Sequence, residues 1–384
     1  MLSYHKCVSM RSILFLSLLT FAFFLNVSSQ IVNGSASTVA VPDVIIIPVV
    51  VHIIYNTPDQ NISNDQVRSQ IKVLNEDYRK KNRDAAYIPS AFRTLAADAR
   101  IEFRLATVDP SGFTTDGIIR KSTAVSAFNL DDKIKSGMLG GDDPWNRDQY
   151  LNLWVGNLSD GMMGYSSVPG CNAEKDGVVI KYTAFGTTAN VRAPFNKGRT
   201  TVHEIGHWLG LRHIWGDTDC GDDKIDDTPP QAGPTRGCPS GVIATCSSGA
   251  AGNMYMNFMD FTNDECTNMF TLGQTVRMRE LFNTGGARVA LLNSDKAGGA
   301  VEDEASVDGS ANKITLYPNP AVNTIKLTLN NAPADKIIIY NNLGQVTKQF
   351  AVTKNQMDLN VRDLKSGIYF ISLGGKKVLK FVKN

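Results

Sequence analysis

Three of the five histidines in this 384-residue chain crowd into one stretch, Val202-His203-Glu204-Ile205-Gly206-His207-Trp208-Leu209-Gly210-Leu211-Arg212-His213. On a helix, positions i and i+4 lie one turn apart on the same face, so His203 and His207 can aim imidazole nitrogens at one ion. Glu204 sits beside the first of them, where it can reach a metal-held water without ligating. Gly210 permits the left-handed turn that ends a helix, and the chain can then swing His213 back as a third ligand. Three protein ligands with an open fourth position describe a catalytic zinc site, whereas a structural site is closed by a fourth. The chemistry is hydrolysis: zinc acidifies water, Glu204 takes the proton during attack on a carbonyl, and Glu204 then passes it to the leaving amine.

The elements that must position these groups follow from hydrophobic patterning. Val44 to Tyr55 (VIIIPVVVHIIY) is a β-branched run expected of a strand buried on both faces. Ser63 opens a helix, with Gln66 as its capping-box partner and Val67, Ile71, Leu74 and Tyr78 at helical spacing. Ile101–Val108, Tyr150–Val155 and Gly177–Tyr182 read as further strands, an exposed strand edge near Met163 to Pro169 could hold an extended peptide by β-pairing, and the histidine helix starts at about Thr200. One strand, a helix, several strands and a second helix predict a mixed sheet with helices packed on it, an α+β domain. From Gly210 to about Asn268 regular patterning fades into Gly, Pro, Asp and Cys. Thr271 to Asn283 is a last helix, with Val276, Met278 and Leu281 among its apolar positions.

The two ends differ from this middle. Lys6 and Arg11 precede an apolar run, Ile13 to Leu25, and small residues follow at Val27-Ser28-Ser29, the order of a secretory signal peptide over residues 1–29. The run is shorter than the ~20 residues of a membrane span, so no span is expected once the signal is removed. Residues 30–43 read as a short pro-segment or arm, 44–292 as the catalytic domain and 293–312, small, acidic and Gly-rich, as a linker. Residues 313–384 hold seven short alternating runs separated by turn signals, a small β-sandwich. This last segment carries eleven Lys or Arg against three Asp, whereas the chain without its signal balances at 37 basic and 37 acidic residues. Overall charge thus gives no indication of a nucleic-acid partner. With Cys7 leaving in the signal, Cys220, Cys238, Cys246 and Cys266 crowd into a loop-rich region of a secreted chain and predict two disulfides, among three possible pairings. Cys171 is left over, expected as a buried free thiol.

HEIGHWLGLRHIW resembles the metzincin zinc peptidases, whose pattern is H-E-x-x-H-x-x-G-x-x-H followed by a Met-turn. The continuation GDDKIDDTP, then GCP, then NFMDFTNDEC resembles the pappalysin family, including its short bacterial and archaeal members. The similarity runs from about Ile47 to Phe282. It implies a metalloendopeptidase with His203, His207 and His213 as zinc ligands, Glu204 as general base and Met259 as the Met-turn methionine beneath the metal. It also implies the pairings Cys220–Cys246 and Cys238–Cys266. The crowded oxygens of Asp222, Asp223, Asp226, Asp227 and Thr228 are implied to hold calcium, with Asp222, Asp226 and Thr228 as candidate ligands. Asp264 falls where the resemblance places a specificity acid, which implies cleavage on the amino side of Arg and Lys. One departure stands out: the family pattern has Tyr two residues after the Met-turn methionine, and this chain has Phe261.

The terminal segment, with YPNP, IYNNLGQ and SGIYFISL before a basic end, resembles the sorting domains of the type IX secretion route. That implies secretion machinery as a partner, beside peptide or protein substrates, and an extracellular, cell-surface or released enzyme. The competing reading is a non-catalytic or surface-anchored binding protein that retains the metallopeptidase fold. The intact Glu204 argues against it, since a binding protein needs no general base.

Overall fold

The computed structural model describes residues 41–159, 161–246, 248–297, 314–317, 320–329, 336–341, 345–354, 356–373 and 377–384. The predicted signal peptide, most of the 30–43 arm and most of the 293–312 linker lie outside them. The chain divides into two compact units, Met1–Gly299 and Ala300–Asn384.

In the first unit, β1 (Ile45–Tyr55) pairs in parallel with β2 (Ile101–Leu105), β3 (Ile118–Ser122) and β4 (Leu151–Gly156). Next to β4 lies β6 (Val178–Lys181), also parallel, and the short β5 (Gly164–Ser166) closes the sheet antiparallel to β6. The order is β2-β1-β4-β6-β5, so β5 is an edge. Alternation along β1 divides its side chains between two layers. Ile45, Ile47, Val49, Val51 and Ile53 join the main core, together with Val67, Leu74 and Tyr78 of α1 (Asn64–Tyr78) and Val202 and Ile205 of α2 (Arg199–Trp208). Val50 and Ile54 pack in smaller clusters with Tyr150 and Trp154 respectively. Both faces of β1 are therefore covered, which is why its sequence is apolar at nearly every position.

The helices begin as their caps dictate. Ser63 accepts the Gln66 N–H at 3.1 Å to open α1. Thr271 and Gln274 exchange the reciprocal bonds of a capping box at the start of α3 (Leu272–Glu280). Two details go beyond what the sequence pattern conveys. Val276 is exposed, because the buried face of this nine-residue helix is set by Gln274, Thr275 and Met278. Strand β3 went unread, being five residues long with little alternation, whereas β5 falls within the strand edge expected near Met163 to Pro169.

In the second unit, seven strands are described: β7 (Ile314–Tyr317), β8 (Thr324–Leu329), β9 (Lys336–Asn341), β10 (Val346–Ala351), β11 (Gln356–Asn360), β12 (Gly367–Leu373) and β13 (Lys377–Lys383). They form sheets ordered β10-β9-β12-β13 and β11-β8-β7. Ile325, Leu327, Ile337, Ile339, Leu359, Ile371 and Phe381 share one core. Among the described residues, no helix is long and apolar enough to cross a membrane.

Candidate active site

All ten residues of α2 are buried, and neighbouring elements hold the helix at both ends. Its N-terminus follows Gly198, whose positive φ of 74° suits glycine and whose missing side chain leaves the first N–H groups uncapped. Asp264 fills that role from a distant loop: its Oδ2 accepts the N–H of Lys197 at 2.7 Å and of Arg199 at 3.2 Å. Helix α1 grips the same end. Gln70 donates to the Gly198 carbonyl at 3.0 Å and accepts from the Thr201 hydroxyl at 2.9 Å, and the Tyr78 hydroxyl donates to the Val202 carbonyl at 2.9 Å. At the other end, the Trp208 indole N–H and the Arg288 guanidinium each donate to buried Asp176 at 2.6 Å. The Arg288 guanidinium also lies 3.9 Å from the centre of the Trp208 ring.

Held this way, the three histidines converge. The His207 Nε2 lies 3.0 Å from His203 Nε2 and 3.1 Å from His213 Nε2. The Nδ1 atoms all face acceptors: the Phe258 carbonyl at 2.7 Å for His203, the Leu211 carbonyl at 3.0 Å for His207 and the Asp217 carboxylate for His213. Each Nδ1 must therefore carry the hydrogen, and the three Nε2 lone pairs point at one another. Burial, reinforced by His213, lowers the pKa of His203 to about 3 and holds that of His207 well below its usual value. With the Nδ1 positions taken, three buried Nε2 atoms face one another, an arrangement that one shared cation satisfies. Their spacing is near the roughly 3.3 Å expected between nitrogens at opposite corners of a tetrahedral zinc site. This donor set fits zinc.

Glu204 is equally buried, and neither carboxylate oxygen has a hydrogen-bond partner. Burial pushes its pKa well above the usual carboxylate value, offset a little by the nearby Ser166 hydroxyl, which itself makes no hydrogen bond of good geometry. Space for this side chain comes from Gly164 on edge strand β5, where an added Cβ would stand 3.0 Å from Glu204 Cγ. Met259 is wholly buried under the helix, its sulfur 2.5 Å from where a Cβ on Gly206 would stand. The Phe261 ring packs 4.8 Å from His213, 5.5 Å from His203 and 4.9 Å from Trp215, and Trp215 stacks on His213 at 4.4 Å.

Beside His203 opens a cavity of about 130 Å³ whose walls include Thr200, Arg236, Asp260, Phe261 and Asp264. Asp260 and Asp264 are both buried, and desolvation raises each pKa to about 6 against the pull of the backbone N–H groups they accept. The loop after the histidines is stapled by Cys220–Cys246 and Cys238–Cys266. Cys171 is disulfide-bonded, not the free thiol expected. Within the acidic loop, Asp222 pairs with Lys224, Thr228 donates to Asp223 at 2.9 Å, and Asp227 accepts from Gly273 N–H and the Thr271 hydroxyl at the start of α3. Only one more histidine is described, His52, buried on the other face of β1 against Asp142 and Asn152. Sequence reasoning missed Asp176 and Arg288, because a buried ion pair between distant segments leaves no local pattern, and it missed Asp217 although its place four residues after His213 was a signal that could have found it.

Residues 139–283 match the peptidase family described as pregnancy-associated plasma protein-A, and residues 315–384 match the secretion system C-terminal sorting domain. An extracellular metalloprotease of Arthroderma benhamiae is 31% identical over 243 residues, covering 60% of this chain and 70% of that protein. A second extracellular metalloprotease, from Verticillium alfalfae, is 38% identical over 144 residues, covering 35% of this chain and 49% of the relative. Tannerella forsythia mature mirolysin, solved in complex with a cleaved peptide, is 49% identical with a TM-score of 0.64, over 65% of this chain and 96% of that one. The chain belongs to the pappalysin family of metallopeptidases. It is a secreted zinc metalloendopeptidase of metzincin type, with peptide substrates and a terminal domain of the kind that engages secretion machinery.

Proposed function

We propose that this pappalysin-family enzyme holds zinc through His203, His207 and His213, uses Glu204 as general base, and cleaves on the amino side of Arg and, less efficiently, Lys. The observation that carries the first part is the convergence of three Nε2 atoms beside a buried carboxylate with no partner. Bound zinc supplies a Lewis acid that acidifies water and polarises the scissile carbonyl. Glu204 accepts the proton of the attacking water and returns it to the leaving amine. Its burial raises its proton affinity, which suits a group that must take a proton up and hand it on. Edge strand β5 presents unpaired backbone groups next to Glu204, so an extended peptide can add to the sheet there. Met259 packs beneath Gly206 and fixes the height of the helix.

The basic preference rests on Asp264. One oxygen anchors α2, while the residue lines the cavity next to His203, where a substrate guanidinium would meet it. Calcium on the loop of Asp222, Asp226 and Thr228 would need Asp222 to release Lys224, and would stiffen an irregular segment. The domain boundaries carry the same reading: catalysis in 44–292, a linker in 293–312 and sorting in 313–384.

Glu204→Ala tests the mechanism. Zinc content should stay at one ion per chain, while peptide hydrolysis falls by roughly two to four orders of magnitude, the usual worth of a general base. Activity within a few-fold of the parent enzyme, at equal zinc content, would remove Glu204 from the reaction.

A further inference from the structure

The cavity beside His203 has two charged walls joined by one disulfide. Cys238–Cys266 ties the loop that lines one side to the segment just past the Met-turn. Two residues before Cys266 stands buried Asp264, and two residues before Cys238 stands Arg236, which is exposed. Both side chains line the cavity. The Arg236 guanidinium carbon lies 5.8 Å from the centre of the Phe261 ring. The two cavity carboxylates are engaged elsewhere: Asp260 accepts from Thr235 N–H, Phe261 N–H and Gln231, and Asp264 accepts from Lys197 N–H and Arg199 N–H. Neither lies within ion-pair range of Arg236. Among the described residues Arg236 has no anionic partner, and Phe261 is the group that positions its guanidinium. Since Phe261 also packs on His203 and His213, one aromatic ring separates that guanidinium from the histidine cluster.

An unpaired surface arginine is ordinarily a solvated one. Here the arginine is laid on an aromatic face, which limits its freedom, and it stands at the rim of a cavity that opens beside the reacting groups. A guanidinium presents paired N–H donors in a plane and sheds water readily, so its natural counterpart is a carboxylate. A peptide whose side chain enters the cavity must lead its next groups out past the rim. If that side chain is basic, Arg236 repels it unless a carboxylate stands between them. A basic residue followed by a carboxylate would satisfy both walls at once.

We propose that Arg236 binds a substrate carboxylate on the departing side of the scissile bond. The carboxylate is either an acidic side chain next to the residue in the cavity or a free C-terminus at that point. The inference rests on the cavity receiving the side chain that follows the scissile bond, but not on the charge that Asp264 selects.

Steady-state kinetics on the full secreted enzyme test it, with matched quenched-fluorescence peptides. The residue after the scissile bond is Arg or Leu, the next is Asp or Asn, and a parallel pair ends there as free acid or amide. The parent enzyme should favour Asp over Asn, or acid over amide, by about three- to tenfold in kcat/KM, as a partly exposed charge pair allows. Arg236→Ala should bring that ratio close to one, Arg236→Lys should keep part of it, and about 0.5 M salt should compress it. An effect confined to the acid–amide pair identifies the terminal carboxylate, and one confined to Asp–Asn identifies the side chain. Ratios near one in both arms of the parent enzyme, or a ratio that survives Arg236→Ala, overturn the proposal. Loss of the Arg-over-Leu preference with the carboxylate ratio intact would sink the role given to Asp264 and leave this one standing.

Discussion

Asp264 is asked to be a buried anion, and the cost of that is measurable through Asp264→Asn. Burial lifts its carboxyl pKa from the usual 3.8 to about 6. A shift of roughly two units corresponds to on the order of 3 kcal/mol, at ~1.4 kcal/mol per unit. The sign follows from proton binding. The folded chain holds this proton more tightly than the unfolded chain, so the group favours folding most below pH 3.8. That contribution fades as pH rises through about 6, above which the full penalty applies. Asparagine keeps an oxygen for the Lys197 and Arg199 N–H groups and has no charge to desolvate. Asp264→Asn should therefore be more stable than the parent by up to about 3 kcal/mol near pH 8, with the gain vanishing toward pH 4. Urea unfolding of both proteins across this range, each saturated with zinc, gives the difference directly, because effects shared by the two cancel. A variant less stable at pH 8, or a difference that ignores pH, would refute the argument. It would mean that the charge at the N-terminus of α2 returns more than its burial costs. The functional counterpart is a reduced preference for Arg after the scissile bond in the variant. In the parent enzyme, the same preference should fade as pH falls through about 6.

Two further perturbations probe the scaffold. Gly206→Ala places a Cβ 2.5 Å from the buried Met259 sulfur, so overpacking should cost about 1–3 kcal/mol and loosen zinc binding, read by melting temperature and chelator competition; wild-type values for both would mean Met259 repacks freely. Deleting residues 313–384 should abolish export from the native host yet leave a folded, active enzyme when the rest is produced alone, and an inactive or unfolded product would tie the sandwich to the catalytic unit.

Much of the architecture was legible because local rules and tertiary needs agree. The β-branched run of β1 could only be a strand covered on both sides, and Ser63 with Gln66 announced the start of α1. The extent of α3's buried face was not legible, since Val276 has the apolar character of a core residue but lies on the solvent side of a short helix. Short strands carry too few residues to show a period, and β3 therefore stayed hidden although it pairs along half of β1.

By itself, the sequence determined that His203 and His207 share one helical face with Glu204 between them, because 3.6 residues per turn leaves no other arrangement. It also determined, through Gly210, that the chain could turn His213 toward them. Only the tertiary structure decided which nitrogen of each ring is available. For His203 that choice is made by Phe258, 55 residues along the chain, while Leu211 and Asp217 lie four residues after the histidines they orient, in the segment that the fold turns back behind α2. Only the tertiary structure, likewise, placed Asp264 under the N-terminus of α2 and set Arg236 across the same cavity. The helical period is a local property, fixed by the backbone. A hydrogen-bond partner 55 or 65 residues away is a property of the folded core, and no pattern in the intervening residues encodes it.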